Sequence, residues 1–164
     1  MSATVTAYVG LGANLDDPAA HVRRAFDNLA ALAQARLVAR SPLYRSAPLG
    51  PPDQPDYINA VGVVETRLPP RELLAALRGI ELGHGRVRDG TRWGPRTLDL
   101  DLLLYGGLVL DSPELILPHP GLHDRAFVLY PLNDVAPDLV IPGRGPLRGL
   151  LERLKNTSVE RLET

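Results

Sequence analysis

Cysteine is absent from this chain of 164 residues, and lysine occurs once, at Lys155. Without thiols the protein has no disulfide framework, no thiolate nucleophile and no zinc-ribbon site. The sequence also lacks an apolar run of about 18 residues and a basic start followed by a long apolar segment. We therefore expect an unprocessed cytoplasmic protein without a membrane partner, in which any metal rests on Asp, Glu, His or backbone oxygens.

Aromatic residues make up only 5% of the chain, and the net charge is −1. An RNA-binding domain needs exposed aromatic side chains and a wide basic surface, so the composition argues against a nucleic-acid partner. The apolar fraction of 45% and the charged fraction of 23% are typical of a soluble globular protein. Because the length suffices for one ordinary core, we predict a single domain over residues 1–164 and expect a monomer.

The pattern of apolar residues and turn signals predicts a regular order of strands and helices. Asp17 followed by Pro18 is typical of a helix start. The predicted strands cover residues 5–10, 37–44, 57–66 and 97–105, and the predicted helices cover residues 17–35 and 69–80. The order β-α-β-β-α-β predicts an α+β fold, a ferredoxin-like sandwich with a mainly antiparallel sheet and helices packed on it.

The rest of the chain carries weaker signals. Gly106 and Gly107 predict a hairpin turn from the last of these strands into residues 108–110. A short helix, a short strand and a final helix are predicted at residues 123–129, 139–141 and 146–154. The last ten or so residues are expected to be loosely held.

Two aspartates lie two residues apart in the clearest predicted strand, which reads Leu98-Asp99-Leu100-Asp101-Leu102. Because successive side chains of a strand alternate, Asp99 and Asp101 point to the same face, with Cα atoms about 6.5 to 7 Å apart. Two facing carboxylates repel unless a cation or hydrogen-bond donors neutralise them, and magnesium prefers such oxygens. The pair favours a magnesium site, although acids on the solvent face of a half-buried strand would show the same alternation.

A loop rich in arginine and glycine immediately precedes this strand. Arginine offers permanently charged, fork-shaped donors for phosphate oxygens, and glycine lets a loop fold closely over a ligand. An anion-binding loop joined to a metal-binding strand suits polyphosphate chemistry; a solvated basic loop paired with the acids is the alternative. Trp93 could stack on a base or anchor the loop. The arginines of this loop are Arg86, Arg88, Arg92 and Arg96.

Other motifs are less specific. Gly10 and Gly12 resemble the start of a dinucleotide-binding loop, but Leu15 stands where a third glycine is needed, and no lysine-containing phosphate loop occurs. We interpret these glycines as a tight turn between strand and helix. The histidines show no zinc spacing. His119 lies between two prolines with Arg125 close behind, and it could reach a phosphate or be structural.

Several segments together resemble one known family. They are residues 8–15 (YVGLGANL), 48–51 (PLGP), 54–59 (QPDYIN), 92–101 (RWGPRTLDLD) and 117–119 (LPH). On these segments, which span most of the chain, the sequence resembles 6-hydroxymethyl-7,8-dihydropterin pyrophosphokinase of folate biosynthesis. The resemblance implies transfer of a pyrophosphoryl group from ATP to the pterin hydroxymethyl oxygen, with release of AMP, on a fold with a ferredoxin-like core.

The resemblance also implies a role for individual residues. Asp99 and Asp101 would bind two magnesium ions and, with Arg86 and Arg96, form the catalytic set. The expected ATP-binding residues are Arg86, Arg88, Arg92, Trp93, Arg96, His119 and Arg125. The expected residues of the pterin pocket are Ser46, Ala47, Leu49, Tyr57, Asn59, Trp93 and Phe127. Flat heterocycles favour aromatic faces and amide donors, which suits Phe127 and Asn59.

The chain departs from the family pattern at a few positions. Asp89 stands where a basic residue can occur, Pro120 where an aromatic residue can follow the histidine, and Ala47 where a second proline can occur. These differences bear on the adenine-side contacts and on how tightly ATP is held. The rival hypothesis is a non-catalytic ferredoxin-like module that senses a nucleotide. The paired acids argue against it, because they would repel phosphate without a metal.

Overall fold

The computed structural model describes residues 4–15, 17–46, 55–84, 98–154 and 159–162, without the side chain of residue 124. Its elements are β1 (Val5–Ala13), α1 (Pro18–Ala30), β2 (Ala35–Arg40), β3 (Tyr44–Ser46), β4 (Tyr57–Thr66), α2 (Pro70–Gly83), β5 (Asp99–Tyr105), β6 (Leu110–Asp111), β7 (Ile116–Leu117), α3 (Ala126–Val135), β8 (Val140–Ile141), β9 (Gly145–Pro146), α4 (Leu147–Glu152) and β10 (Val159–Arg161). A short 3-10 helix, Leu122–Asp124, precedes α3. Within these ranges no helix has the length and apolar character that crossing a bilayer requires.

One antiparallel sheet organises these elements. Its strand order is β10-β3-β4-β1-β5, and β2 also pairs with β4. At ten residues, β4 is long enough to pair with β2 along one part and with β3 along another. β1 lies between β4 and β5 and is antiparallel to both. The antiparallel sheet with helices packed on it confirms the predicted α+β, ferredoxin-like fold.

Helices cover both faces of this sheet. On the first, which we call face A, the apolar sides of α1 and α2 pack on Val9 and Leu11 of β1. On the opposite one, face B, α3 and α4 pack on Val61 of β4 and against Tyr8. Alternation along β1 therefore sends successive side chains into two separate cores. Burial of apolar surface in these cores is the main stabilising contribution to the fold.

A β-bulge in β5 changes which face its side chains reach. Leu102 pairs with Val9 and Leu104 pairs with Tyr8, so Leu103 is the additional residue. Leu102 belongs to the core on face A, whereas Leu103 and Leu104 belong to the core on face B. The bulge thus places two consecutive leucines, Leu103 and Leu104, on the face that carries Asp99 and Asp101.

The start of α1 agrees with the sequence prediction, but its end does not. Asp17 is the N-cap, and its side chain accepts a hydrogen bond from the N–H of Ala20 at 3.4 Å. The helix ends at Ala30 instead of continuing to residue 35. Residues from Ala35 onward pair with β4 as β2, and this pairing requires an extended backbone.

Three other sequence predictions are wrong in detail. The strand expected at residues 37–44 is divided into β2 and β3, because Pro42 has no N–H to donate and Ser41 bonds to Val61 through both its N–H and its hydroxyl. In the described part of the chain, the hairpin expected after Gly106 is not formed, since β6 pairs with β7. The C-terminal segment is held more firmly than expected, because β10 pairs with β3.

Candidate active site

On face B, polar side chains lie on either side of β1. Gly12 of β1 pairs with Asn59 of β4 on one side and with Asp99 of β5 on the other. One row further along, Gly10 pairs with Asp101. Neighbouring strands lie about 4.8 Å apart, so Asn59 and Asp99 are about 10 Å apart with no side chain between them. Neither glycine adds a side chain to this face, and we call this part of face B the glycine strip. Both glycines lie within a strand, so the predicted turn at these positions is wrong.

The amide of Asn59 is held in one orientation on this face. Asn59 is 8% exposed, and its Oδ1 accepts a hydrogen bond from the hydroxyl of Ser46 at 3.1 Å. Its Nδ2 faces Gly12, where a Cβ atom would lie only 2.8 Å away. Tyr57 pairs with Ser46 across β3 and β4. The structure thus brings Ser46, Tyr57 and Asn59 together beside the glycine strip.

Asp99 and Asp101 are half-buried on the same face. Burial, followed by the negative charge of Asp99, raises the pKa of Asp101 to about 7. The charge of Glu81 adds to this rise, whereas Arg78 and Arg125 oppose it. A carboxyl group whose ionisation is opposed by a neighbouring carboxylate gains from a bound cation. The pair therefore has the electrostatics of a cation site.

The two oxygen donors of the aspartate pair indicate which cation fits. In the ranges that the structure covers, no group of three or more Asp, Glu, His or Cys side chains is arranged to hold a metal. Asp99 and Asp101 would supply two hard oxygens, with the remaining ligands coming from water or from a bound phosphate. Magnesium is usually bound in this way, through one or two carboxylates and the oxygens of a substrate.

His119 approaches Asp101 from the segment that follows β7. Its backbone N–H donates to the carbonyl of Leu103 at 2.9 Å, which attaches this segment to β5. Its Nδ1 accepts from the N–H of Gly121 at 3.1 Å, so Nε2 carries the proton of the neutral ring. That Nε2 lies 3.9 Å from Oδ2 of Asp101. Burial, followed by the charge of Arg125, lowers the pKa of His119 to about 4, so the ring is a neutral donor at pH 7.

Arg125 and Phe127 lie at the start of α3, next to His119. The guanidinium carbon of Arg125 is 5.9 Å from the centre of the Phe127 ring, which is within the range of a cation-π interaction. A side chain at Gly121 would collide with this guanidinium, so the glycine makes room for it. Because the charge of Arg125 acts on both Asp101 and His119, it belongs to the same electrostatic cluster.

The structure therefore brings Asp99, Asp101, His119 and Arg125 into one cluster on face B, with Phe127 beside Arg125. It brings Ser46, Tyr57 and Asn59 into another cluster on the same face. The remaining predicted site residues lie outside the described ranges, and their roles stay predictions. They are Ala47, Leu49, Arg86, Arg88, Arg92, Trp93 and Arg96.

Sequence reasoning missed three residues that shape this site. Gly12 forms part of its floor. Arg78 and Glu81 of α2 bond to the backbone of Leu100, the residue between the two aspartates. The spacing of Arg78 and Glu81, three residues apart on a helix, was a signal for an ion pair, but spacing cannot show which strand such a pair contacts.

The fold and the site together define a ferredoxin-like α+β protein with a carboxylate cation site beside a strip of glycines and polar side chains. Residues 8–137 match the family model described as 7,8-dihydro-6-hydroxymethylpterin-pyrophosphokinase (HPPK). The chain belongs to this family.

Individual relatives support the same membership. A protein of Pseudomonas aeruginosa is 53% identical over 94% of this chain and 95% of its own length. A protein of Haemophilus influenzae is 44% identical over 96% of this chain and 98% of its own length. Both are named 2-amino-4-hydroxy-6-hydroxymethyldihydropteridine pyrophosphokinase.

Solved structures resemble the fold. A Plasmodium falciparum HPPK-DHPS triple mutant with STZ-DHP aligns with a TM-score of 0.74 at 14% identity over 93% of this chain. The wild-type protein with pteroate aligns with a TM-score of 0.72 at 15% identity over 93% of this chain. This chain covers 44% and 43% of those longer chains. At such identities the likeness concerns the fold alone.

Proposed function

We propose that the protein transfers the pyrophosphoryl group of ATP to the hydroxymethyl oxygen of 6-hydroxymethyl-7,8-dihydropterin, forming AMP and the pterin diphosphate in folate biosynthesis. This activity makes it an ATP-dependent diphosphotransferase. Membership of the family and the names of the relatives support the proposal. The observation that carries it is the placement of Asp99 and Asp101 on the same sheet face as Asn59, with Gly12 between them.

Asp99 and Asp101 would hold magnesium, and we expect two ions. Magnesium suits this pair because the two carboxylates supply hard oxygen donors. A bound cation would also favour the ionised form of Asp101, whose pKa is raised in its absence. Bound magnesium would neutralise charge on the triphosphate. The protein itself contributes a rigid strand that fixes the separation of the two carboxylates.

His119 and Arg125 are assigned to the phosphates of ATP. The Nε2–H of His119 points toward the aspartate pair as a neutral donor, so it can bond a phosphate oxygen without the repulsion that a carboxylate would add. Arg125 supplies a permanent positive charge from the start of α3. Phosphoryl chemistry depends mainly on such positioning and charge stabilisation.

The pterin is assigned to the glycine strip of face B beside Asn59. The amide of Asn59, fixed by Ser46, can pair with donor and acceptor atoms on the edge of a heterocycle. Tyr57 and Phe127 are expected to contact its aromatic ring. Ala47, Leu49 and Trp93 complete the proposed pocket.

The arginine loop is assigned to the polyphosphate. Arg86, Arg88, Arg92 and Arg96 would neutralise the triphosphate, with Trp93 closing the loop. Arg86 and Arg96 would be catalytic together with Asp99 and Asp101. This assignment is supported by the suitability of guanidinium groups for phosphate oxygens.

The remaining proposals concern the protein as a whole. We propose one domain over residues 1–164 that acts as a cytoplasmic monomer, without a nucleic-acid or membrane partner. The composition and the net charge of −1 support the absence of a nucleic-acid surface. Size-exclusion chromatography with light scattering tests the oligomeric state directly.

The decisive experiment is to incubate the purified protein with ATP, magnesium and the hydroxymethyl dihydropterin, and to follow products by phosphorus NMR. The proposal predicts AMP and pterin diphosphate in equal amounts. Formation of ADP would contradict pyrophosphoryl transfer. Nucleotide binding without any turnover would favour the non-catalytic sensing module.

A further inference from the structure

Glu81 is a buried carboxylate next to the strand that carries the aspartate pair. Its side chain is 1% exposed. Its Oε2 accepts a hydrogen bond from the backbone N–H of Leu100 at 2.7 Å and one from Nη1 of Arg78 at 3.0 Å. A buried carboxylate is tolerated only where it is paired and hydrogen-bonded, so these contacts are needed for Glu81 to occupy this position.

Arg78 completes a second bond to the same residue of the strand. The same Nη1 that pairs with Glu81 donates to the carbonyl of Leu100 at 2.8 Å. Arg78 and Glu81 are three residues apart on α2, so they project from the same side of the helix. Together they bind both the N–H and the C=O of one residue, as a neighbouring β-strand would do. We call these two side chains the α2 clamp.

The register of β5 explains why Leu100 needs these partners. In an antiparallel pair, residues alternate between those that exchange backbone hydrogen bonds with the partner strand and those whose groups point away from it. Leu100 pairs with Leu11 of β1, but its N–H and C=O are directed to α2. Asp99 and Asp101, on either side, are then the residues whose backbones bond to β1. In the described part of the chain, β5 is the last strand of the sheet order.

This arrangement fixes the peptide units that separate the two carboxylates. Asp99 and Asp101 are held on one edge by β1, and Leu100 between them is held on the other edge by α2. A freed edge strand would bend or twist locally, and the separation of the two carboxylates would change with it. Removing the groups that orient metal ligands in this way commonly lowers metal affinity or activity.

We propose that Arg78 and Glu81 are positioning residues for the aspartate pair, acting through the backbone of Leu100. This inference rests on the proposed function, because it concerns the reaction centre that Asp99 and Asp101 form. The clamp itself touches neither the reacting atoms nor the metal in this proposal. It sets how the two carboxylates are presented on face B.

The test uses the full-length protein and four α2 variants. Arg78→Met removes both hydrogen bonds of Nη1, whereas Arg78→Lys keeps one nitrogen that can serve Glu81 and Leu100. Glu81→Ala removes the acceptor, whereas Glu81→Gln keeps an acceptor oxygen for the N–H of Leu100. The matched control is Arg71→Met on the same helix, because Arg71 forms only an exposed pair with Glu114 at 3.6 Å in the contacts of the described residues.

Two readouts do not depend on turnover. The first is amide hydrogen exchange of Leu100 by NMR, which we expect to accelerate at least about tenfold in Glu81→Ala, as for loss of a bond to a charged group. The second is Mn²⁺ binding in the presence of α,β-methylene ATP, measured from the electron paramagnetic resonance signal of free Mn²⁺. We expect its affinity to fall about 10- to 100-fold in Glu81→Ala and Arg78→Met.

Turnover measurements then compare the variants that remove the contacts to Leu100 with the conservative variants that keep them. We expect kcat to fall about 10- to 100-fold in Arg78→Met and Glu81→Ala, with KM for the pterin little changed. Arg78→Lys and Glu81→Gln should recover most of both kcat and Mn²⁺ affinity, and Arg71→Met should match the wild type. If Glu81→Ala does not fold, losses in Arg78→Met together with retention in Glu81→Gln give the same decision, because Glu81→Gln removes a charge that acts on Asp101 but keeps an acceptor for Leu100.

A purely structural role would lower the free energy of unfolding while leaving kcat and Mn²⁺ affinity of the folded protein unchanged. That result in Arg78→Met would overturn the proposal. So would equal losses in Arg78→Met and Arg78→Lys. A wild-type protein that formed no AMP would instead contradict the proposed function, and the exchange rate of Leu100 and the Mn²⁺ affinities would still decide on the clamp.

Discussion

The first half of strand β5 carries buried leucines on one face of the sheet and half-buried aspartates on the other. On face A, Leu100 and Leu102 are 0% and 2% exposed in the core formed with α1 and α2. On face B, Asp99 and Asp101 remain half-buried, and the charge of one acts on the pKa of the other. Because the side chains alternate, residues for stability and residues for chemistry follow each other directly in the sequence. Between Asp99 and Leu102, substitutions on face A should therefore affect stability and those on face B activity.

The largest effect on stability is expected on face A. Leu100→Ala deletes a fully buried side chain and should lower the free energy of unfolding by about 2–5 kcal/mol. The backbone of Leu100, which α2 holds, is unchanged by this substitution. Urea denaturation followed by circular dichroism measures the loss, and kcat per folded molecule should stay close to the wild-type value. A collapse of kcat without a loss of stability would contradict the separation of the two faces.

The largest effect on activity is expected on face B. Asp99→Asn and Asp101→Asn should each lower kcat at least about 100-fold, because each removes one of two charged oxygen donors for magnesium. Neither substitution should lower the free energy of unfolding at pH 7, because each also removes the repulsion within the pair. Asp111→Asn, at an exposed acid of β6, is the control. Wild-type turnover in either variant at saturating magnesium would refute the metal site.

The face of each residue in β5 could be predicted from the sequence up to Leu102, but not beyond. Period-two alternation placed Asp99 and Asp101 together because nothing interrupts the strand between them. The bulge at Leu103 was not predictable, since four consecutive leucine or tyrosine side chains give no signal for an extra residue. The core on face B depends on that bulge, because it brings Leu104 to the same face as Asp101.

Contacts between segments far apart in the sequence explain the other differences between the sequence predictions and the structure. Arg78 and Glu81 look like an ordinary surface pair on a helix, and only the packing of α2 beside β5 shows that Glu81 is buried. Similarly, Val159 pairs with Ser46 in β10 and β3, two strands more than 100 positions apart in the chain. A pattern within a short window predicts periodicity, but it does not specify which distant backbone a segment will meet.

A smaller and more selective effect is expected from adding a side chain to the glycine strip of face B. Gly12→Ala places a Cβ atom 2.8 Å from Nδ2 of Asn59, so the amide must move away from its bond with Ser46. Overpacking of this kind costs about 1–3 kcal/mol. We expect KM for the pterin to rise about tenfold, with little change in KM for ATP. Initial-rate kinetics with each substrate varied in turn gives both constants.

Gly149→Ala is the control for this substitution, because nothing lies within 4 Å of a Cβ atom at Gly149. Its kinetic constants should match those of the wild type. An equal rise in both KM values in Gly12→Ala would show that the strip is not specific to the pterin. An unchanged KM for the pterin would place the pterin elsewhere.

The smallest expected effect is the pH dependence of stability in the metal-free wild type, where two opposite pKa shifts largely cancel. The pKa of Asp101 is raised from 3.8 to about 7, so between these values the folded state binds more protons than the unfolded chain, and this contribution to stability falls as the pH rises. The pKa of His119 is lowered from 6.5 to about 4. There the unfolded chain binds more protons, and the contribution rises with pH.

Between pH 4 and 6.5 the two contributions oppose each other, and single substitutions should separate them. Relative to the wild type, Asp101→Asn leaves the His119 contribution, so its free energy of unfolding should increase more with pH across this window. His119→Asn leaves the Asp101 contribution, so its free energy of unfolding should decrease relative to the wild type as the pH rises. Urea unfolding in EDTA at several pH values measures both slopes. If both variants changed in the same direction, the opposite pKa shifts of Asp101 and His119 would not describe this cluster, and the neutral-donor role of His119 would lose its basis.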